Sequence, residues 1–156
     1  MNFDLSPEQQ LLSDSVERFV ADHYPLDQRQ LTVLSEQGFS SDHWQSMAEL
    51  GWLGVGIAEK HQGFGGTQAD TMVLMEQFGK GLVLEPFFAS AVLAASALKY
   101  GGSEAQKQEW LPKIADGSAQ LTLAYAEEQG RFDLHDVVTR AEQKDHGYVL
   151  NGRKSM

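Results

Sequence analysis

Gln120-Leu121-Thr122-Leu123-Ala124-Tyr125 is the stretch on which the fold turns. Its alternation and β-prone composition predict a strand, whereas everything before it carries helix signals. Toward the carboxyl end, Val137-Val138-Thr139 is β-branched, and Tyr148-Val149-Leu150-Asn151-Gly152 reads as a strand running into a turn. Two or three strands cannot complete a stable sheet alone, so the natural protein is expected to continue or to leave this portion unpaired.

Toward the amino end the signals are helical. Ser6 can cap, Pro7 suits a first helical position and Gln9 completes a capping box, predicting a helix from about Pro7 to Asp22. Leu12, Val16, Phe19 and Val20 share one face of it, and Tyr24-Pro25 ends it. A polar connection follows, and Ser41-Asp42 opens a helix through Leu50 that Gly51 terminates. Trp52 to Ile57 reads as a tight buried passage. Thr67 or Asp70 caps a helix carrying Met72, Val73, Met75 and Phe78, ended by Gly79 and Gly81. After Glu85-Pro86, the small residues between Phe87 and Tyr100 predict a central helix closely approached by its neighbours, stopped by Gly101-Gly102. Ser103-Glu104-Ala105-Gln106 is a second capping box, and Pro112 is expected to kink or restart the helix it opens.

The fold class is therefore mainly α: a bundle of about five helices, residues 1–117, followed by the first strands of an incomplete β domain, residues 118–156. Helices and strands in separate blocks exclude alternating βαβ units.

Composition narrows the function classes. With 22 acidic against 12 basic residues the formal net charge is -10, which removes the electrostatic source of nucleic-acid binding. No apolar run approaches the roughly 18 to 20 residues needed to span a bilayer. Without cysteine there is no disulfide, thiolate metal site or cysteine nucleophile, and a reducing cytoplasm fits.

Local motifs, taken alone, identify no chemistry. Gly63-Phe64-Gly65-Gly66 fails the dinucleotide fingerprint at Gln68 and lacks the Gly-Lys-Ser/Thr of a phosphate loop, so it reads as a structural turn. The five histidines are scattered without helical pairing, and no metal site is expected. Asp133, His135 and Asp136 read as a solvated loop, and Glu127-Glu128 as surface, a raised-pKa pair there requiring burial. Trp44, Trp52, Trp110, Phe87 and Phe88 read as core anchors.

The order of patterns says more. Phe3-x-Leu5-Ser6-x-Glu8-Gln9-x-Leu11, Met47-Ala48-Glu49-Leu50-Gly51-Trp52-Leu53-Gly54, Gly63-Phe64-Gly65-Gly66, Gly102-Ser103-Glu104-Ala105-Gln106-Lys107-x-x-Trp110-Leu111-Pro112 and Gly147-Tyr148-Val149-Leu150-Asn151-Gly152-x-Lys154 follow one another along essentially the whole chain. This series resembles the acyl-CoA dehydrogenase family, and Tyr125 to Leu134 looks like the small subunits of bacterial heteromeric members.

The resemblance implies a helical first domain, a β domain and a second helical bundle, assembled as a homo- or hetero-oligomer. It implies α,β-desaturation of an acyl-CoA thioester, with FAD as cofactor and an electron-transfer flavoprotein or similar acceptor as partner. The family's glutamate base lies in its last bundle, so no catalytic residue is assigned here. Carried over by position, Leu123, Tyr125, Ala126 and Phe132 fall on the flavin side, the amides of Tyr125 and Ala126 serving as donors. Ala126 and Phe132 stand where the family carries a hydroxyl and a second polar contact. Glu85, Pro86 and Ala89 match the border of the acyl pocket. Two rival readings accompany this one: a non-catalytic partner subunit and an acyl-CoA-binding helical module.

Overall fold

The helix entry read at Ser6-Pro7 is where the computed structural model, which describes residues 4–155, begins its first helix. Phe3 of the opening motif and the terminal Met156 lie outside the described residues. The chain divides into two compact units, one reaching Thr122 and one from Leu123 onward.

In the first unit, α1 (Pro7–His23) starts on the expected capping box, Ser6 Oγ accepting from the Gln9 amide at 3.2 Å and Gln9 Oε1 from the Ser6 amide at 3.0 Å. Val16 and Phe19 are buried, and Leu12 and Val20 pack against the core, as the helical spacing requires. Helix α2 (Leu26–Val33) occupies the segment read as a polar connection. None of its residues is buried, so no apolar stripe marked it as helical. Helix α3 (Ser41–Glu49) is capped by Ser40, and Gly51 takes the left-handed conformation (φ 78°) beyond its end. Trp52 to Ile57 is a buried passage containing one 3-10 turn.

Helix α4 (Gln68–Gly81) runs through both glycines expected to end it, and Leu82 adopts the left-handed cap at φ 51°. Gly81 instead serves contact: a Cβ there would overlap Val20 of α1, whereas Gly79 faces open space. The α1–α4 interface also holds a buried hydrogen bond, Gln77 Nε2 donating to Ser13 Oγ at 2.9 Å.

The small-residue segment opens as a π-helical stretch, Phe88–Ala94, and continues as α5 (Ala95–Gly101). Ser90, Ala91, Ala94 and Ala95 are buried, which places it centrally. Helix α6 (Glu104–Ala115) begins on the second capping box and passes through Pro112 without a restart. The Pro112 carbonyl still accepts from the Asp116 amide at 3.0 Å, so the helix loses the donor that proline lacks and keeps its next turn. Phe88 is half exposed and Trp110 lies partly open beneath the Lys113 ammonium, so these two are not the core anchors that Trp44, Trp52 and Phe87 are.

The second unit has a single antiparallel pair among the described residues, β1 (Arg140–Lys144) with β2 (Gly147–Asn151), Glu142 opposite Val149. Neither Gln120–Tyr125 nor Val137–Thr139 joins a ladder. Their β propensity has no partner strand to act on among the described residues, and the amides of Val138 and Thr139 go to a carboxylate instead.

Candidate functional site

The glycine loop is excluded first as an anion cradle. The amides of Phe64, Gly65 and Gly66 donate to the carbonyls of Gly54, Ile57 and Val55 at 3.0, 2.8 and 2.8 Å, so they are spent within the loop. A Cβ at Gly63 would overlap the Ile57 carbonyl, which explains that glycine by close approach alone. Among the described residues no group of three His, Cys, Asp or Glu could hold a metal ion.

Glu85, Pro86 and Ala89 sit at the entrance to the π-helical stretch, a distortion that recurs at functional positions. The Glu85 side chain is fully buried. Its carboxylate accepts a short hydrogen bond from the Tyr24 hydroxyl and another from the Ser40 amide at 3.2 Å, with His43 Nδ1 3.5 Å away. Burial, reinforced by the hydrogen bond to Glu85 and its charge, drives the Tyr24 phenol far above its ordinary pKa. Glu85 thus ties the end of α1 to the cap of α3 and is spent on protein partners. Pro86 and Ala89, both half-buried, are the members of this trio with surface to offer. Phe19 extends the cluster by stacking on His23 at 4.2 Å between ring centres. No local sequence signal marks this cluster, because its members meet only through folding.

In the second unit, Leu123 and Tyr125 are exposed, Ala126 is half-buried and Phe132 is fully exposed. The Ala126 carbonyl accepts from the Ser155 amide at 3.0 Å. The amides of Tyr125 and Ala126 donate to no protein acceptor among the described residues, so the donors expected for a flavin are open. The hydroxyl is absent at Ala126, and the Phe132 ring points no polar atom anywhere.

Glu127 departs most from its reading as surface: it is 4% exposed. It accepts from Lys154 Nζ and the Val138 amide at 2.8 Å, the Thr139 amide at 3.1 Å and Gln129 Nε2 at 2.8 Å. These donors, Lys154 foremost, hold its carboxyl well below the usual carboxylate range, opposite to a raised-pKa pair. Its neighbour Glu128 is exposed and 3.4 Å from Arg153. The Asp133–Asp136 loop is exposed, with the His135 amide held by Asp133 Oδ1 at 2.9 Å.

Comparison with known proteins gives the class. The family model for the acyl-CoA dehydrogenase N-terminal domain matches residues 6–118, and the chain belongs to the acyl-CoA dehydrogenase family. It is 29% identical over 152 residues to mitochondrial isovaleryl-CoA dehydrogenase of Pongo abelii, covering 96% of this chain and 36% of that one. The ChsE4-ChsE5 complex from Mycobacterium tuberculosis superimposes with a TM-score of 0.86 at 27% identity, over 97% of this chain and 40% of that one. An acyl-CoA dehydrogenase complexed with FAD from Bacillus anthracis does so with a TM-score of 0.83 at 25% identity, over 97% of this chain and 26% of that one. The chain spans less than half the length of the curated relatives it matches.

Proposed function

We propose that this chain supplies the helical domain and the first flavin-side segment of an FAD-dependent acyl-CoA dehydrogenase, which desaturates an acyl-CoA thioester at the α,β position. The observation that carries the reading is the pair of open amides at Tyr125 and Ala126, at the head of the segment that follows the family domain. In this reading Leu123, Tyr125, Ala126 and Phe132 hold FAD, whose flavin accepts the β-hydrogen as hydride when bound. Backbone donors do this without a side-chain hydroxyl, so Ala126 remains compatible with the cofactor. The Lys154–Glu127 contact fixes the carbonyl side of the same segment by anchoring its loop. Pro86 and Ala89 offer apolar surface to the acyl chain, and buried Glu85 holds that corner in place. Electrons leave to an electron-transfer flavoprotein or similar acceptor, and the working state is a homo- or hetero-oligomer of family subunits.

One observation favours a second reading, a non-catalytic partner subunit: the flavin-side positions carry Ala126 and a fully exposed Phe132. Expression of the full reading frame, alone and with any co-purifying family subunit, separates the two. A flavin absorption band with one FAD per subunit and acyl-CoA-dependent reduction of an acceptor supports the enzyme. One FAD per pair of unlike subunits supports the partner. A colourless protein, inert toward every acyl-CoA tried, removes the first reading.

A further inference from the structure

An open cavity of about 390 Å³ lies in the helical unit, bordered by the 56–61 loop, the start of α4, the π-helical stretch with α5, and α6. Glu85, Pro86 and Ala89 do not line it. Its floor is apolar, formed by Ile57, Ala91, Val92, Ala95 and Leu111. Its rim is cationic, formed by Lys60, Lys99 and Lys107. Glu104 stands 3.2 Å from Lys60 and 2.9 Å from Lys107, so one carboxylate meets two of the three ammonium groups. Lys99 has no part in that exchange and lies over the Tyr100 ring, 5.5 Å from its centre. In a chain of net charge -10, a local surplus of positive charge above an apolar floor selects for an anion with a hydrocarbon body.

A further observation points the same way. His61 also lines it, is 4% exposed, and has neither ring nitrogen hydrogen-bonded within the described residues. Protein interiors seldom leave such a group unmatched, and a polar ligand atom supplies what the chain does not.

We propose that this cavity binds a small amphipathic carboxylate. The aliphatic body lies on the Ile57, Val92 and Leu111 floor, the head group sits at Lys99 and Lys107, and His61 gives the wall its polar contact. A monoanion suits the site better than a phosphate dianion, because Glu104 already consumes part of the positive charge and most of the lining is apolar. The volume falls within the roughly 300 to 1,000 Å³ of small-molecule sites. The cavity is built from residues of this chain alone, and its occupancy does not depend on the dehydrogenase reading.

The test is a nuclear magnetic resonance titration of the 156-residue chain with octanoate, and with 1-octanol as the uncharged probe. Octanoate is expected to shift the methyl groups of Ile57, Val92 and Leu111 and the ring of His61 saturably, and octanol to bind roughly tenfold more weakly, the loss of one charge-assisted contact. The pair Lys99→Gln and Lys107→Gln is expected to reduce octanoate to the octanol level, and Ser96→Leu to obstruct both probes. If the paired variant loses its folded spectrum, Lys99→Gln alone, at an exposed position, gives the same reading with a smaller loss. Absence of saturable shifts, shifts centred on other residues, equal binding of the two probes, or unaltered octanoate binding by the folded lysine variants would each overturn the proposal.

Discussion

The carboxylate of Glu127 and the ammonium of Lys154 lie 2.8 Å apart in the second unit, joining positions far apart in sequence around a segment without regular secondary structure. The amides of Val138 and Thr139 complete the shell. Glu127 therefore does what a strand neighbour would do, giving acceptors to backbone donors that have no ladder.

Replacing Lys154 with Met is expected to speed hydrogen exchange at Val138 and Thr139 and leave α1 and α4 unchanged. The pH dependence has a definite sign. A carboxyl depressed in the folded state contributes its full stability above its ordinary pKa near 4.5, and that contribution is lost as pH falls below it toward the depressed value. Protection of the two amides, taken relative to their intrinsic exchange rates, should fall through that acid window in the native chain, and Glu127→Gln should abolish the acid response. A response retained by that variant contradicts the assignment.

Gly81 and Gly79 make a matched pair within α4. Gly81→Ala is expected to destabilise by about 1–3 kcal/mol, because its Cβ meets Val20 across a close helix contact. Val20→Ala in the same chain should recover part of the loss, a coupling that a double-mutant cycle measures. Gly79→Ala, with open space around it, should stabilise by about 0.5–1 kcal/mol. Urea unfolding of the parent, the three single variants and the double variant decides the matter, and equal effects at both glycines would refute the packing account.

Tyr24→Phe strips buried Glu85 of a hydroxyl donor and is expected to cost about 1–3 kcal/mol. The phenol has its pKa raised by folding, so its contribution is fully present below the ordinary value near 10 and is lost as pH climbs above it. Of the four tyrosines, one should ionise only as the chain unfolds in alkali. Ultraviolet titration shows this directly, and four tyrosines ionising normally in the folded chain would disprove it.

Ser103→Ala removes the side chain that accepts the Gln106 amide at 3.3 Å and should cost about 0.5–2 kcal/mol. Ser103→Asp should restore most of it, since aspartate caps as well and suits a helix start. Thermal unfolding by circular dichroism compares the three.

The helical half was legible in the residues because its signals are local. Ser6 with Gln9 and Ser103 with Gln106 mark starts, and the Val16–Phe19 stripe marks a face. Helix α2 escaped because an exposed helix leaves no periodic apolar record. The strand expected at Gln120–Tyr125 failed for a different reason: β propensity describes fitness for a neighbour, and no neighbour is present among the described residues. The site was less legible than the fold. Tyr24, His43 and Glu85 come together from separate elements, and Glu127 is buried by donors that follow it in the chain, so adjacency in sequence carried no trace of either cluster.

The β1–β2 hairpin has every residue exposed, on both faces of both strands. A lone two-stranded ribbon is marginal in water, so its opening is frequent compared with that of the helices. For a laboratory handling this chain, the practical result is a predictable lability. Brief digestion should remove the tail first and leave a resistant helical product ending near Thr122, and storage should reveal clipping there before any loss of helical signal.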